Sequence, residues 1–223
     1  MIKKTILFAF FIQVSIVNAQ YSINGGVSSL KAFGVPKQYI GFHVGAEIPR
    51  DNDVSFYLRA SFYAKNRLDP NFYPATYFTL QNLDVNDYTQ VTVQAESYFS
   101  YKTIDGGMRY YIMDGYDNGF ALYGGSNIMG IMNKAKYKLE DFDQSKYRLP
   151  VASELTGTIL NFGVGFSGGA KYTFTGIGSL YFDMTLDYIL LPLYSNQVAQ
   201  NIGYYVHSPL LFSFNFGFRK DFY

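Results

Sequence analysis

LLFSFNFGFRKDFY, residues 210–223, closes the chain, and from Leu210 to Phe218 every second residue is Leu or Phe. Ser213, Asn215 and Gly217 fall between them. A strict period of two puts large apolar side chains on one face of a strand and small or polar ones on the other, so the two faces meet different surroundings. The pattern recurs in DVSFYLRASFYAK, residues 53–65, where Val54, Phe56, Leu58, Ala60, Phe62 and Ala64 alternate with Ser55, Tyr57, Arg59, Ser61, Tyr63 and Lys65. It returns across 158–174 and across 180–190. A soluble β-sandwich also alternates, but its solvent face is usually rich in Lys and Glu. Here the polar face carries Gly, Ser, Asn and a few charges of both signs, which suits a narrow lumen where side chains from all sides share the space.

Composition agrees with strands that face something less polar than water. There are 22 Tyr and 21 Phe with no Trp, 21 Gly, and only 16% charged residues. The formal charge of +1 falls to about −1 once Lys3 and Lys4 are set aside with a leader, a balance that gives no support to nucleic-acid binding. The absence of Cys excludes disulfides, thiolate metal sites, a cysteine nucleophile and a lipoprotein anchor.

The first residues, MIKKTILFAFFIQVSIVNAQ, have a basic start, an apolar stretch from Ile6 to Val17 and a small-residue ending at Ala19. This reads as a secretory signal over 1–19, cleaved before Gln20, with one domain over 20–223. The apolar run is shorter than the roughly 20 residues a spanning helix needs. An exported chain of alternating strands therefore points to an all-β, antiparallel, up-and-down transmembrane barrel.

Strands are expected at about 21–31, 37–49, 53–66, 90–113, 119–136, 157–174, 179–193 and 205–219. The turns at 49–53, 114–119 and 175–179 are short, and the connections at 67–89, 137–156 and 194–204 are long. Short turns inside and long loops outside give eight strands with both termini periplasmic. Residues 90–113 are too long for one crossing, so they either rise above the membrane or break near Asp105-Gly106-Gly107. Ten strands is the alternative, with a further strand at ATYFTLQ inside 67–89.

The signal ending at Ala19, the tyrosine-rich strands and the ending FNFGFRKDFY make the chain resemble the small outer-membrane β-barrel proteins common in Bacteroidota, similar in architecture to the OmpA and OmpX barrels. The resemblance spans 20–223 and implies a Gram-negative outer-membrane location, contact with membrane lipid and assembly by the barrel assembly machinery. It brings no catalytic signature and no cofactor. Asn215, Gly217, Phe218, Phe222 and Tyr223 resemble the β-signal of such proteins, from which the chain departs by continuing through Arg219, Lys220 and Asp221.

His43 and His207 both have inward parity. A lipid-modifying acyltransferase, the remote enzymatic alternative, would have to use His207 with Ser208 and Ser195. Adjacent strand residues point to opposite faces, so His207 and Ser208 cannot simply pair, and two lumen histidines are the plainer reading. With the first hairpin centred on Asp51, His43 would lie opposite Arg59. No spacing of His and carboxylates marks a metal site, and GFSGGA at 165–170 reads as lumen packing rather than a phosphate loop.

Glu47, Arg59, Asp105, Arg109, Lys171, Asp183, Asp187 and Arg219 also point inward, and mixed charges in so narrow a space are expected to form ion pairs that plug it. A turn centred near Ile177 would place Lys171 opposite Asp183. Function is then expected in the loops 67–89 and 137–156, as a non-enzymatic structural or interaction barrel, including an accessory subunit with a protein partner in a larger outer-membrane complex. The alternative is a porin-like narrow channel for a small or hydrophobic solute.

Overall fold

The period-two segments close on one another edge to edge. The computed structural model describes residues 20–84, 87, 89–113, 116, 119–150, 154–206 and 208–222. The expected signal at 1–19, His207 and Tyr223 lie outside the described residues. The elements are β1 Tyr21–Ala32, β2 Gln38–Pro49, β3 Val54–Tyr63, β4 Asn66–Arg67, β5 Thr76–Asn82, β6 Val91–Met113, β7 Gly119–Leu139, β8 Tyr147–Arg148, β9 Thr156–Phe174, β10 Gly178–Tyr194, helix α1 Gln197–Val206 and β11 Leu210–Phe222. Eight of these strands form a closed antiparallel barrel in the order β1-β2-β3-β6-β7-β9-β10-β11. Its seam joins β11 back to β1, from Tyr21↔Phe222 to Ala32↔Leu211.

Burial is inverted relative to a soluble protein. Phe166 is 74% exposed, and Ile23, Val27, Phe42, Val44, Leu58, Ile104 and Phe216 are all more than half exposed, while Glu47 and Asp183 are fully buried. Such a wall is stable only where the surroundings are themselves apolar, so the apolar belt is the membrane-crossing surface. No described helix is long and apolar enough to cross a membrane. On β11, Phe214, Phe216 and Phe218 look outward while Ser213 and Asn215 are buried inside, which accounts for the alternation of the last strand.

The 23-residue β6 does not break. Residues 102–110 pair with β3, and the part above them pairs with β4 and β5 on one side and with β7 on the other. ATYFTLQ does form a strand, β5, but it pairs with the part of β6 that has outgrown the barrel and with the short β8. Eight strands therefore cross, and the ten-strand alternative fails because β5 lies beyond the wall.

Two registers differ from the sequence expectation. Phe174 pairs with Gly178, so residues 175–177 make the whole reversal, with Gly176 in the left-handed region at φ 78°. Lys171 accordingly opposes Tyr181, and Asp183 opposes Gly169 rather than Lys171. The first hairpin shifts the other way, centred one residue later than Asp51, so His43 faces Ser61 and Arg59 faces Gly45. Each shift moves partners by two residues, which preserves which face looks inward.

Residues 194–204, read as a loop, contain most of α1. Asn196 caps the helix by accepting from the Ala199 amide at 3.0 Å. Val198, Ala199, Ile202 and Val206 then form one buried stripe. The last strand therefore begins at Leu210 rather than 205, because Tyr205 and Val206 belong to the helix.

Candidate functional site

The lumen is filled in layers, and each layer follows from which inward residue a strand contributes at that height. At the turn end, Tyr111, Tyr116 and Tyr123 pack together with ring centroids 5.4–5.6 Å apart. Glycines opposite such side chains make the room: a Cβ on Gly169 would lie 2.7 Å from the Tyr123 hydroxyl, and one on Gly217 would lie 2.7 Å from that of Tyr181.

Above this layer stands the ionic cluster. Arg59 on β3 grips Asp105 on β6 through two contacts, Nη2 to Oδ2 at 2.9 Å and Nε to Oδ1 at 3.1 Å. Its Nη1 reaches across the lumen to Asp183 on β10 at 2.8 Å. Arg109 donates from Nη1 to Glu47 at 2.7 Å and from Nη2 to Asp183 at 2.8 Å. Arg219 stands 3.8 Å from Glu47 and donates to the Tyr116 carbonyl at 3.0 Å. Glu47 also accepts from Ser55 at 2.5 Å and from the Tyr111 hydroxyl. Asp183, bonded by two arginines from the adjacent strands β3 and β6 across the lumen and by Asn215 at 2.7 Å, is the hub. The guanidinium of Arg109 also lies 4.2 Å from the centre of the Tyr57 ring and 4.8 Å from that of Tyr123.

Two members of the expected network are placed differently. Lys171 donates to the Tyr116 carbonyl and lies over the rings of Tyr111 and Tyr116, at 4.3 and 4.5 Å. Asp187 has no cationic partner among the described residues and is held by Asn127 at 2.6 Å and Thr185 at 3.0 Å. His43, fully enclosed, sits between the Ser28 hydroxyl at 2.7 Å and Tyr181. Asp183 fixes the amide of Asn215 with its NH2 toward the carboxylate, so Asn215 Oδ1 takes the Ser28 proton at 2.6 Å, and His43 Nδ1 donates to Ser28. Every polar atom of this histidine is thus engaged in packing the lumen. Ser208 is turned onto the Leu210 backbone, and Ser195 accepts from the Thr158 amide. Of the residues expected to form an assembly signal, Asn215 and Gly217 look inward and Phe218 outward, while Phe222 stacks on Tyr21 across the seam at 5.2 Å.

At the mouth the filling becomes apolar. Leu30, Tyr39, Tyr101, Ile131, Ile159, Ile189 and Leu211 meet the buried stripe of α1. Outside this plug, the turn at 68–74, Tyr137 and α1 enclose an open cavity of about 360 Å³. Tyr73, Gln197, Gln200, Asn201, Tyr204 and Tyr205 line it. Tyr73 is 93% buried, and its hydroxyl has no hydrogen-bond partner among the described residues. Tyr204, by contrast, is 80% exposed. Sequence reasoning missed this surface because half of it is built by α1.

A closed eight-stranded antiparallel barrel with an apolar wall and a polar lumen is the fold of the small outer-membrane barrel proteins. No family model matches the chain, and no curated protein matches it in sequence. Among solved structures, a major outer membrane protein from Thermus thermophilus is similar at TM-score 0.50 and 12% identity, over 92% of this chain and 100% of the other. Neisserial surface protein A aligns at TM-score 0.49 and 10% identity, covering 90% and 94%. Ail of Yersinia pestis, solved in complex with the heparin analogue sucrose octasulfate, aligns at 0.44 and 15%, covering 91% and 99%. None of these three is from Bacteroidota, and the lineage part of the sequence resemblance finds no support in them.

Proposed function

We propose that the chain is a non-enzymatic, integral outer-membrane barrel that works as an interaction protein through its outer head, with both termini periplasmic. The observation that carries this reading is the contrast between a lumen filled along its length and a head that is built rather than loose. Strands β4, β5 and β8, the overgrown ends of β6 and β7, and α1 hold a fixed surface beyond the belt. The partner-facing residues of that reading are Tyr204 and Tyr205, exposed beside the Tyr73 cavity. Aromatic side chains of this kind supply large contact area at little conformational cost.

The test is purification from native membranes in mild detergent. A stoichiometric protein partner should co-purify with the unaltered chain and be lost from a Tyr204→Ala, Tyr205→Ala variant that remains heat-modifiable on gels. Recovery of the barrel alone, or equal capture by the variant, would contradict the reading.

A further inference from the structure

The outward wall of β3, β6, β7 and β9 changes character within two rows. In one row Ala60, Ile104, Gly130 and Phe162 oppose one another directly. The small Ala60 and Gly130 between larger neighbours leave a hollow of about 430 Å³ in the lipid-facing surface. One row higher stand Phe62, Lys102, Met132 and Leu160, then Ser100, Lys134 and Thr158, then Tyr98, Lys136 and Thr156. Lys102, Lys134 and Lys136 are exposed on this one face, and none forms an ion pair among the described residues. The Lys65 ammonium adds a further charge, 4.5 Å from the centre of the Tyr98 ring. Glu96, the next outward residue of β6, is engaged by Arg67 at 3.1 Å.

Lysines at the upper edge of an apolar belt lay their stems along hydrocarbon and lift their ammonium groups to the headgroup level. The charge they meet there is phosphate. The hollow directly beneath is apolar and lies in the size range of small-ligand sites.

We propose that this face is a site for one phosphate-bearing glycolipid of the outer leaflet, with headgroup phosphate on Lys102, Lys134 and Lys136 and an acyl chain seated between Ala60 and Gly130. The proposal rests on the orientation given above, with 67–89 and 137–156 outside. It needs no partner protein.

The experiment titrates the purified full chain in detergent with lipid A carrying both phosphates, followed by native mass spectrometry. Lipid A stripped of phosphate and phosphatidylglycerol serve as comparison probes. A Lys102→Gln, Lys134→Gln, Lys136→Gln variant should bind intact lipid A about a hundredfold more weakly, on the order of fivefold for each lysine. The stripped lipid should bind the unaltered chain about that weakly. Gly130→Leu tests the hollow separately, because a Cβ at Gly130 meets only the Ile104 carbonyl, at 3.8 Å, and leaves the backbone undisturbed. It should weaken binding of both lipid A forms without altering heat-modifiability. Equal binding of intact and stripped lipid A, an unaffected triple variant, or phosphatidylglycerol binding as tightly as lipid A would each overturn the site. Gln144→Cys, at an exposed position, reads the orientation in intact cells with an impermeant maleimide. Labelling keeps the orientation, so that a binding failure counts against the lipid site alone. No labelling overturns the orientation and the outer-leaflet assignment with it.

Discussion

Below His43 the lumen is filled by ions, and above it by side chains that would suit the core of a soluble protein. Arg59, Arg109, Glu47, Asp105 and Asp183 are 5% exposed or less and bond one another and Asn215, Ser55 and Tyr111, with Arg109 Nε left without a hydrogen-bond partner among the described residues. Leu30, Ile131, Ile159, Ile189 and Ile202 are equally buried, with nothing to satisfy. The two halves close the same barrel by different means. In the ionic half each group depends on named partners from other strands, so the filling ties opposite walls together. In the apolar half the contacts are interchangeable in kind, and the seal depends on one short helix staying seated.

Breaking the hub should have the largest effect. Asp183→Leu leaves Arg59 and Arg109 without a shared anion, and loss of one partner from a buried pair costs about 3–5 kcal/mol. Urea unfolding read by gel mobility should show that loss across the whole barrel, and Arg59→Met combined with Asp183→Leu should lose less than the two single changes added. Lys171→Met with Asp183→Leu should instead be additive, because Lys171 lies over Tyr111 and Tyr116 while Asp183 is bonded elsewhere.

In the apolar half, Ile202→Ala should cost about 2–3 kcal/mol, at the low end for a buried branched side chain because α1 lies at the mouth. Hydrogen exchange should place the loss in α1 and the turn at 68–74, with the ladder between β1 and β11 keeping its protection. Uniform loss through the barrel would erase the distinction between the two halves. Asn196→Ala, which removes the cap of α1, should act in the same place by about 1 kcal/mol.

The smallest effect lies at the turn between β2 and β3. The Arg50 hydrogen bond, and then the Asp53 amide, hold the Asp51 carboxyl below its usual range. A lowered folded-state value means that the contribution is present above the ordinary carboxylate range and is lost as pH falls through the lowered value. Amide exchange at Asp53 should quicken over that acid window, and Asp51→Asn should remove the pH dependence.

The ionic half was legible in the sequence to the extent that parity reaches. Period two assigned Glu47, Arg59, Asp105, Arg109, Asp183 and Arg219 to the inside, and a two-residue register error cannot change a face. Pair identity was not legible, because Arg59 and Arg109 reach Asp183 across the lumen rather than along a hairpin, and no count outward from a turn finds such partners. The apolar half was nearly invisible. Its helix is ten residues long, rich in Asn, Gln, Gly and Tyr, and broken from the strand pattern only at Asn196. The one available signal was that capping Asn followed by Val198, Ala199, Ile202 and Val206. The β5 strand was seen, but its place beyond the wall follows from the excess length of β6, which only the pairing resolves.

Both halves together are held to close the barrel to solutes, and conductance tests that most directly. The pure, folded chain in planar bilayers should give no sustained single-channel steps, and Asp183→Leu or Ile202→Ala alone should leave it closed because the other half still fills the lumen. Sustained, stepwise currents through the unaltered protein would contradict the account.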